Sequence, residues 1–308
     1  MKISIISPVY GAEKIVKKLV LEIQNCIQPL RVEYEIILVE DGSPDDSWAR
    51  IEEVCASNPK VKGVRLSRNF GQHYAISAGL EMSDSDYAIV MDCDLQDNPE
   101  YIPEMVRQAE KGFDIVYTVK EQRAHNWFKN ITAKVFNSIF NFLIDNSSYK
   151  AHKNIGSYSL VNRKVVEAYL QVKDSRRHYL MILRWLGFKS TFIEIEHRER
   201  FEGRSSYDFR RLLNHAIDGI TSQSDKLLRL SIYVGMLMSA VAFIAGLYVV
   251  IRSFIDPFQS GWASVIVLIL FVGGITIISI GISGIYIGRT FEQSKGRPLY
   301  LIDKKLNF

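Results

Sequence analysis

The chain has 308 residues, 23% of them charged, and a net charge of +4, which allows one sizeable domain and a smaller part. So modest a charge, with no strongly basic face and no recognition motif, excludes nucleic acid as a partner. Three cysteines (Cys26, Cys55, Cys93), odd in number and without metal-ligand spacing, exclude a disulfide framework and fit a reducing compartment.

Apolar runs alternate with helical patterns from the start. Strands are expected over Lys2–Ser7, Glu35–Val39, Val61–Leu66, Tyr87–Met91 and Phe113–Val119. Helices are expected between them, over Ala12–Cys26, Pro44–Ala56 (with Pro44 near its first turn), Tyr74–Met82 and Pro99–Lys111. Such alternation implies a mostly parallel sheet with helices on both faces, an α/β class of Rossmann-like kind. After Val119 the pattern changes to a polar, basic stretch with Arg123, Lys129 and Lys134, then an amphipathic helix over Ile131–Ile144. A short strand over Ser157–Val161, helices over Lys164–Leu170 and Tyr179–Leu186, and a strand over Ser190–His197 follow. The segment His197–Tyr207 is again basic, with Arg198, Arg200 and Arg204, and Asp208–Asp225 reads as a helix.

Two long uncharged stretches close the pattern, Ser231–Ile251 and Pro257–Gly288. At about 1.5 Å per residue, the first covers roughly 31 Å, the hydrocarbon thickness of a bilayer. Lys226 and Arg229 precede the pair and Arg289, Lys295, Arg297, Lys304 and Lys305 follow it, against Arg252 and Asp256 in the connecting loop. By the positive-inside rule both flanks are cytoplasmic. Met1–Tyr10 runs directly into a strand pattern with no signal peptide, so the soluble part is expected in the cytoplasm, in a multi-pass protein of the cell inner membrane. Tyr248 and Trp262 read as interfacial anchors, and Gly273, Gly274, Gly281, Gly284 and Gly288 suggest close helix contacts and leave room for a homo-oligomer. The expected division is a catalytic domain over 1–207, a juxtamembrane amphipathic helix over 208–229, a transmembrane hairpin over 230–290 and a cytoplasmic tail over 291–308.

Polar strand tips carry the chemistry. Val90–Glu100 ends an apolar strand with Asp92, Asp94 and Asp97, and carboxylates at the carboxyl edge of an α/β sheet suit a hard divalent cation bridging phosphate oxygens. Ser7–Glu13 ends the first strand, and Glu40-Asp41-Gly42-Ser43 ends the second, where a carboxylate can accept hydrogen bonds from a base or ribose. Each alone is more often turn chemistry; three on one edge favour a nucleotide site.

With Pro8–Glu13, Glu40–Ser43, Leu66–Gly71, Ala78–Leu80, Met91–Asp97 with Pro99-Glu100, Arg198–Arg200 with Gly203–Tyr207, and Asp218–Ile220 before two spans, the chain resembles the family-2, GT-A-fold glycosyltransferases. Within them it is similar to the membrane-anchored polyprenyl-phosphate sugar transferases related to dolichyl-phosphate mannose synthase and the GtrB proteins. The resemblance implies a GT-A catalytic domain with two transmembrane helices and an inverting transfer from a UDP- or dTDP-linked sugar to undecaprenyl or another polyprenyl phosphate. It implies that Pro8, Tyr10, Glu13, Asp41, Asp92 and Cys93 bind the nucleotide sugar, that Asp94 holds Mg²⁺ or Mn²⁺, and that Gln96 joins the metal shell. Asp92, Asp94 and Asn154 are the expected catalytic positions. The basic clusters at Arg123, Lys129 and Lys134 and at Arg198, Arg200 and Arg204, with Ser205, read as a cradle for the acceptor phosphate, Arg matching phosphate geometry.

One departure bears on mechanism. Relatives tend to carry an Asp shortly before a Gly where this chain has His152-Lys-Asn-Ile-Gly-Ser-Tyr158. Asn154 is no base, but a phosphate monoester, with a second pKa near 6, is largely ionised at neutral pH and needs none. A sugar-hydroxyl acceptor would need one much more. Two rival readings are a transferase with a lipid or glycan hydroxyl acceptor and a non-catalytic nucleotide-sugar-binding membrane scaffold. His73 is expected near the donor face.

Overall fold

The computed structural model describes residues 1–120, 155–196, 226–253 and 261–308, which group into two compact units. The first takes the described residues before 197 and from 297 to the end. Its eight strands are β1 (Lys2–Val9), β2 (Glu33–Glu40), β3 (Val61–Leu66), β4 (Tyr87–Val90), β5 (Ile115–Lys120), β6 (Ile155–Asn162), β7 (Ser190–Ile195) and β8 (Ile302–Leu306). They form one sheet in the order β7-β5-β6-β4-β1-β2-β3-β8.

β1, β2, β3 and β4 run parallel, so their carboxyl ends share an edge, and β5 pairs parallel with β7. β6 runs antiparallel to both β4 and β5, and β8 antiparallel to β3, so the sheet is mostly parallel and mixed. The central strands are buried on both sides, and alternate residues serve the two faces. Ile36 and Leu38 join the core under α1 (Val16–Ile27), α2 (Ser47–Ser57) and α4 (Ile102–Glu110). Ile37 and Val39 join the core under α3 (Gln72–Met82), α5 (Arg163–Gln171) and α6 (Tyr179–Leu186). Gly79 lets α3 lie against β1, since a Cβ there would sit 2.3 Å from Ile6 Cγ2.

Most expected elements recur with ends moved by a few residues. Helix α2 begins at Ser47, so Pro44 lies just before it; Asp45 accepts from Ser47 N (3.2 Å) in the turn that leads into the helix. The helix expected from Pro99 opens with a 3₁₀ turn, Pro99–Tyr101, capped by Asn98, whose side chain accepts from Glu100 N. The last residues, expected as a tail, contain β8. The helices expected over 131–144 and 208–225 lie outside the described residues.

The second unit holds α7 (Lys226–Ser253) and α8 (Trp262–Ser294), packed on each other. Leu228–Tyr248 and Phe271–Ser294, with mean hydropathies of 2.1 and 1.8, are long and apolar enough to cross a membrane. A Cβ built on Gly273, Gly274, Gly281, Gly284 or Gly288 meets nothing within 4 Å among the described residues.

Candidate active site

Parallel pairing brings the ends of β1, β2 and β4 together around a cavity of about 340 Å³, within the usual range for small-molecule sites. It is lined by Pro8 and Val9 of β1 and Tyr10 after it, Asp41 after β2, Asn69 and Gly71 between β3 and α3, Gln72 at the start of α3, and Asp92, Cys93 and Asp94 after β4. The three polar tips read from the sequence therefore meet at one site.

Asp41 is 3% exposed, and its two carboxylate oxygens accept from Phe70 N (2.7 Å) and Gly71 N (2.8 Å). It thereby holds the segment that carries Asn69, Gly71 and Gln72 on the rim. Burial raises its pKa above the ordinary value, partly offset by those two amides. Gly42 is required next to it: its φ is 65°, and a Cβ would sit 2.3 Å from Asn69 N.

Asp92 Oδ1 accepts from Gln72 Nε2 (2.6 Å) and Ser157 Oγ (3.0 Å). The antiparallel β4–β6 register pairs Val90 with Ser159, so Asp92, two residues after Val90, faces Ser157, two residues before Ser159. Asp94 Oδ1 accepts from Gln96 N (3.1 Å). Between them in the chain, Leu95 has φ 59° and is 6% exposed, an unusual backbone for a branched apolar residue, held by packing of its side chain into the core. Asp97 is 1% exposed and accepts from Asp92 N (3.4 Å), which supports the loop. Burial pushes the Cys93 thiol up to about 12, so it is neutral at physiological pH.

Two residues expected at the nucleotide or metal stand off the lining. Glu13 is tied to the start of α2, accepting from Asp46 N (3.3 Å) while its own N–H donates to Asp45 (3.1 Å). Gln96 lies beyond Asp94 in the loop and does not line the cavity. His73 follows Gln72 at the start of α3, its ring 4.3 Å from that of His178, and its Nδ1 accepts from Tyr179 N (3.5 Å). Asn154, Arg123, Lys129, Lys134, Arg198, Arg200, Arg204 and Ser205 lie outside the described residues. Ser157, read in the sequence as standing with Asn154 where relatives carry an Asp, is brought to Asp92 by the β4–β6 register; Gln72, at the start of α3, escaped the sequence reading because it does not belong to the carboxylate cluster.

Among the described residues no group of three or more His, Cys, Asp or Glu is arranged to hold a metal ion. Three carboxylates line the cavity: both oxygens of Asp41 are taken by Phe70 N and Gly71 N, which leaves Asp92, with Oδ1 engaged, and Asp94 as the donor set for a cation. That fits a hard cation that takes few protein oxygens and completes its shell with phosphate oxygens and water.

Residues 4–170 match the family described as Glycosyl transferase family 2. The chain is 35% identical over 304 residues to an uncharacterized glycosyltransferase of Synechocystis sp., covering 98% of this chain and 95% of that one. It is 34% identical over 306 residues to a prophage bactoprenol glucosyl transferase homolog of Escherichia coli, covering 99% of each, and 33% identical over 308 residues to the bactoprenol glucosyl transferase of Shigella phage SfX, covering 99% and 100%. Its fold resembles that of glucosyl-3-phosphoglycerate synthase from Mycobacterium tuberculosis, solved with Mn²⁺ and uridine-diphosphate-glucose, at a TM-score of 0.50 and 14% identity over 71% of this chain and 77% of that one. With the family match spanning more than half of the chain and its relatives aligned from end to end, this protein is a glycosyltransferase and belongs to glycosyl transferase family 2.

Proposed function

We propose that this chain moves a sugar from a UDP- or dTDP-linked donor to undecaprenyl phosphate or a similar polyprenyl phosphate, with inversion, at the cytoplasmic face of the inner membrane. The observation that carries the reading is the end-to-end similarity to relatives named as bactoprenol glucosyl transferases, including the two apolar helices. Glucose is accordingly the first sugar to test.

Asp41 and the Asn69–Gln72 rim receive the nucleoside, and Asp92, oriented by Gln72 and Ser157, faces the sugar and diphosphate. Asp94, with Gln96 beside it, holds Mg²⁺ or Mn²⁺. When bound, the cation offsets negative charge developing on the departing diphosphate. The acceptor phosphate oxygen forms its bond to the anomeric carbon as the bond from that carbon to the diphosphate breaks. The nucleoside diphosphate leaves with the bonding pair, and a single displacement inverts the centre. Because the acceptor is already an anion, Asn154 in place of an acid costs the reaction little. The clusters Arg123, Lys129 and Lys134 and Arg198, Arg200, Arg204 and Ser205 then serve the lipid phosphate.

The sheet supports a hairpin topology. β8 follows α8 and pairs with β3, so two crossings must return the chain to the side of the membrane it left. The basic flanks support that side being cytoplasmic. This reading keeps 1–207 as the catalytic domain, 208–229 as juxtamembrane and 230–290 as the hairpin.

The test is transfer by purified full-length protein from radiolabelled UDP-glucose to undecaprenyl phosphate with Mn²⁺ or Mg²⁺. A labelled phospholipid whose glycosidic configuration is opposite to the donor's is the expected product. Transfer only to hydroxyl acceptors, or full transfer in the presence of a chelator, overturns the acceptor or the metal assignment respectively.

A further inference from the structure

Past the membrane-length helices, the chain re-enters the nucleotide domain. β8 pairs antiparallel with β3 through Gly63 and Leu306, Val64 and Lys305, Arg65 and Lys304, and Leu66 and Ile302. Both of its faces are used: Leu306 packs against the core under α1 and α2, while Tyr300 and Ile302 pack against the core under α3. Tyr300 also donates its hydroxyl to the Glu81 carboxylate on α3. The end of the strand is locked by a side chain. Asn307, at φ 62°, donates from Nδ2 to Cys55 O (2.8 Å) and Val61 O (2.7 Å) across the α2–β3 turn, and Lys62 lies over the Phe308 ring at 4.9 Å.

The other end of β8 touches the segment that forms the pocket rim. Ser67 N donates to Leu301 O at 2.9 Å, one residue beyond β3. From there the chain runs to Asn69, Gly71 and Gln72, all on the cavity wall, with Phe70 N and Gly71 N on Asp41 and Gln72 on Asp92. The rim is thus pinned at one end by the carboxylates of the site and at the other by the last strand of the protein. Without β8, β3 becomes a bare edge and Ser67 loses its acceptor.

We infer that β8 is a positioning element for the donor site, which sets the Ser67–Gln72 rim for a nucleoside diphosphate and ties that rim through one covalent segment, Lys295–Leu301, to α8. The inference rests on the donor-site reading above. β8 touches neither substrate nor metal; it acts through the backbone of Ser67. Such strand addition derives its strength from main-chain hydrogen bonds and its specificity from side chains on alternate faces, here Tyr300, Ile302 and Leu306.

The experiment measures UDP binding in the presence of Mn²⁺, by calorimetry on the intact detergent-solubilised chain, an Asn307→Asp variant and a chain ending at Leu299. Asn307 lies on the α2–β3 turn, away from the cavity wall, and Asp cannot donate to its carbonyls. The expected result is UDP affinity about tenfold weaker for the shortened chain, or about 1.4 kcal/mol, a smaller loss for Asn307→Asp, and recovery when a peptide of residues 297–308 is added to the shortened chain. Hydrogen exchange at the Phe70 and Gly71 amides should rise in both variants at temperatures where each stays folded, which loss of stability alone would not confine to the rim. Unchanged UDP affinity and unchanged exchange at those amides overturn the inference. If the shortened chain does not fold, Asn307→Asp decides by the same two readings. If the intact chain binds no UDP, the donor-site reading fails, while exchange at Phe70 and Gly71 still tells whether β8 holds the rim.

Discussion

The sheet unit and the helix pair dispose of apolar surface in opposite directions. Ile3, Ile36 and Ile89 of the sheet are fully buried, and the sheet unit sets the carboxylates of Asp41, Asp92 and Asp94 and the amides of Asn69 and Gln72 on its cavity wall beside Pro8, Val9 and Tyr10. Phe243 and Ile277 of the helix pair are 74% and 71% exposed, and the whole of Leu228–Tyr248 offers no buried stretch. The same residue types therefore mean different things in the two units. In the first they hold polar tips in register; in the second they make an exposed apolar surface, long enough in each helix to cross a membrane.

Substitutions can break or sharpen that contrast. The largest effect is expected at Asp94→Asn, which keeps the shape and removes charge from the cavity: transfer should fall about 10²–10³-fold with Tm little changed, measured by turnover and thermal unfolding side by side. A large drop in Tm with proportionate loss of turnover would make Asp94 structural. Next comes a matched pair of exposed apolar residues, Phe243 on α7 and Leu21 on α1, the latter 57% exposed. Phe243→Asp should cost about 3 kcal/mol of membrane insertion, seen as protein lost from the carbonate-washed membrane fraction. Leu21→Asp should stay within about 0.5 kcal/mol in thermal unfolding, and equal, small effects at both would argue that α7 and α8 do not cross a bilayer.

Asp41→Asn tests the rim from the other side. An amide can accept from only one of Phe70 N and Gly71 N and turns its NH₂ toward the other, so a loss of about 1–3 kcal/mol in stability is expected, with a higher KM for the donor and an unchanged KM for the lipid. A proportionate rise in both KM values would count against a local role. The smallest effect is a pH dependence at His178. Burial, and then Arg184, lower its pKa below the ordinary 6.5, so folding favours the neutral ring. Its contribution is fully present above 6.5 and is lost as pH falls through the lowered value, because the unfolded chain takes up the proton first. Melting temperature should therefore decline below pH 6.5, and His178→Asn should flatten that part of the curve.

Much of this was legible along the chain because it depends on neighbours in sequence. Alternating strand and helix periods, a Gly after Asp41, three carboxylates after Val90 and two uncharged stretches all declare themselves within a dozen or so residues. Strand order is another matter. That β6 runs backward beside β4, bringing Ser157 to Asp92, and that β8 closes the β3 edge after two long helices, are pairings between segments 65 and more than 200 residues apart. Local pattern carries no record of them, since any amphipathic strand fits any open edge. Only packing of the whole sheet unit selects Leu301 as the acceptor for Ser67, Gln72 as the partner of Asp92, and Asn307 as the lock on the turn before β3.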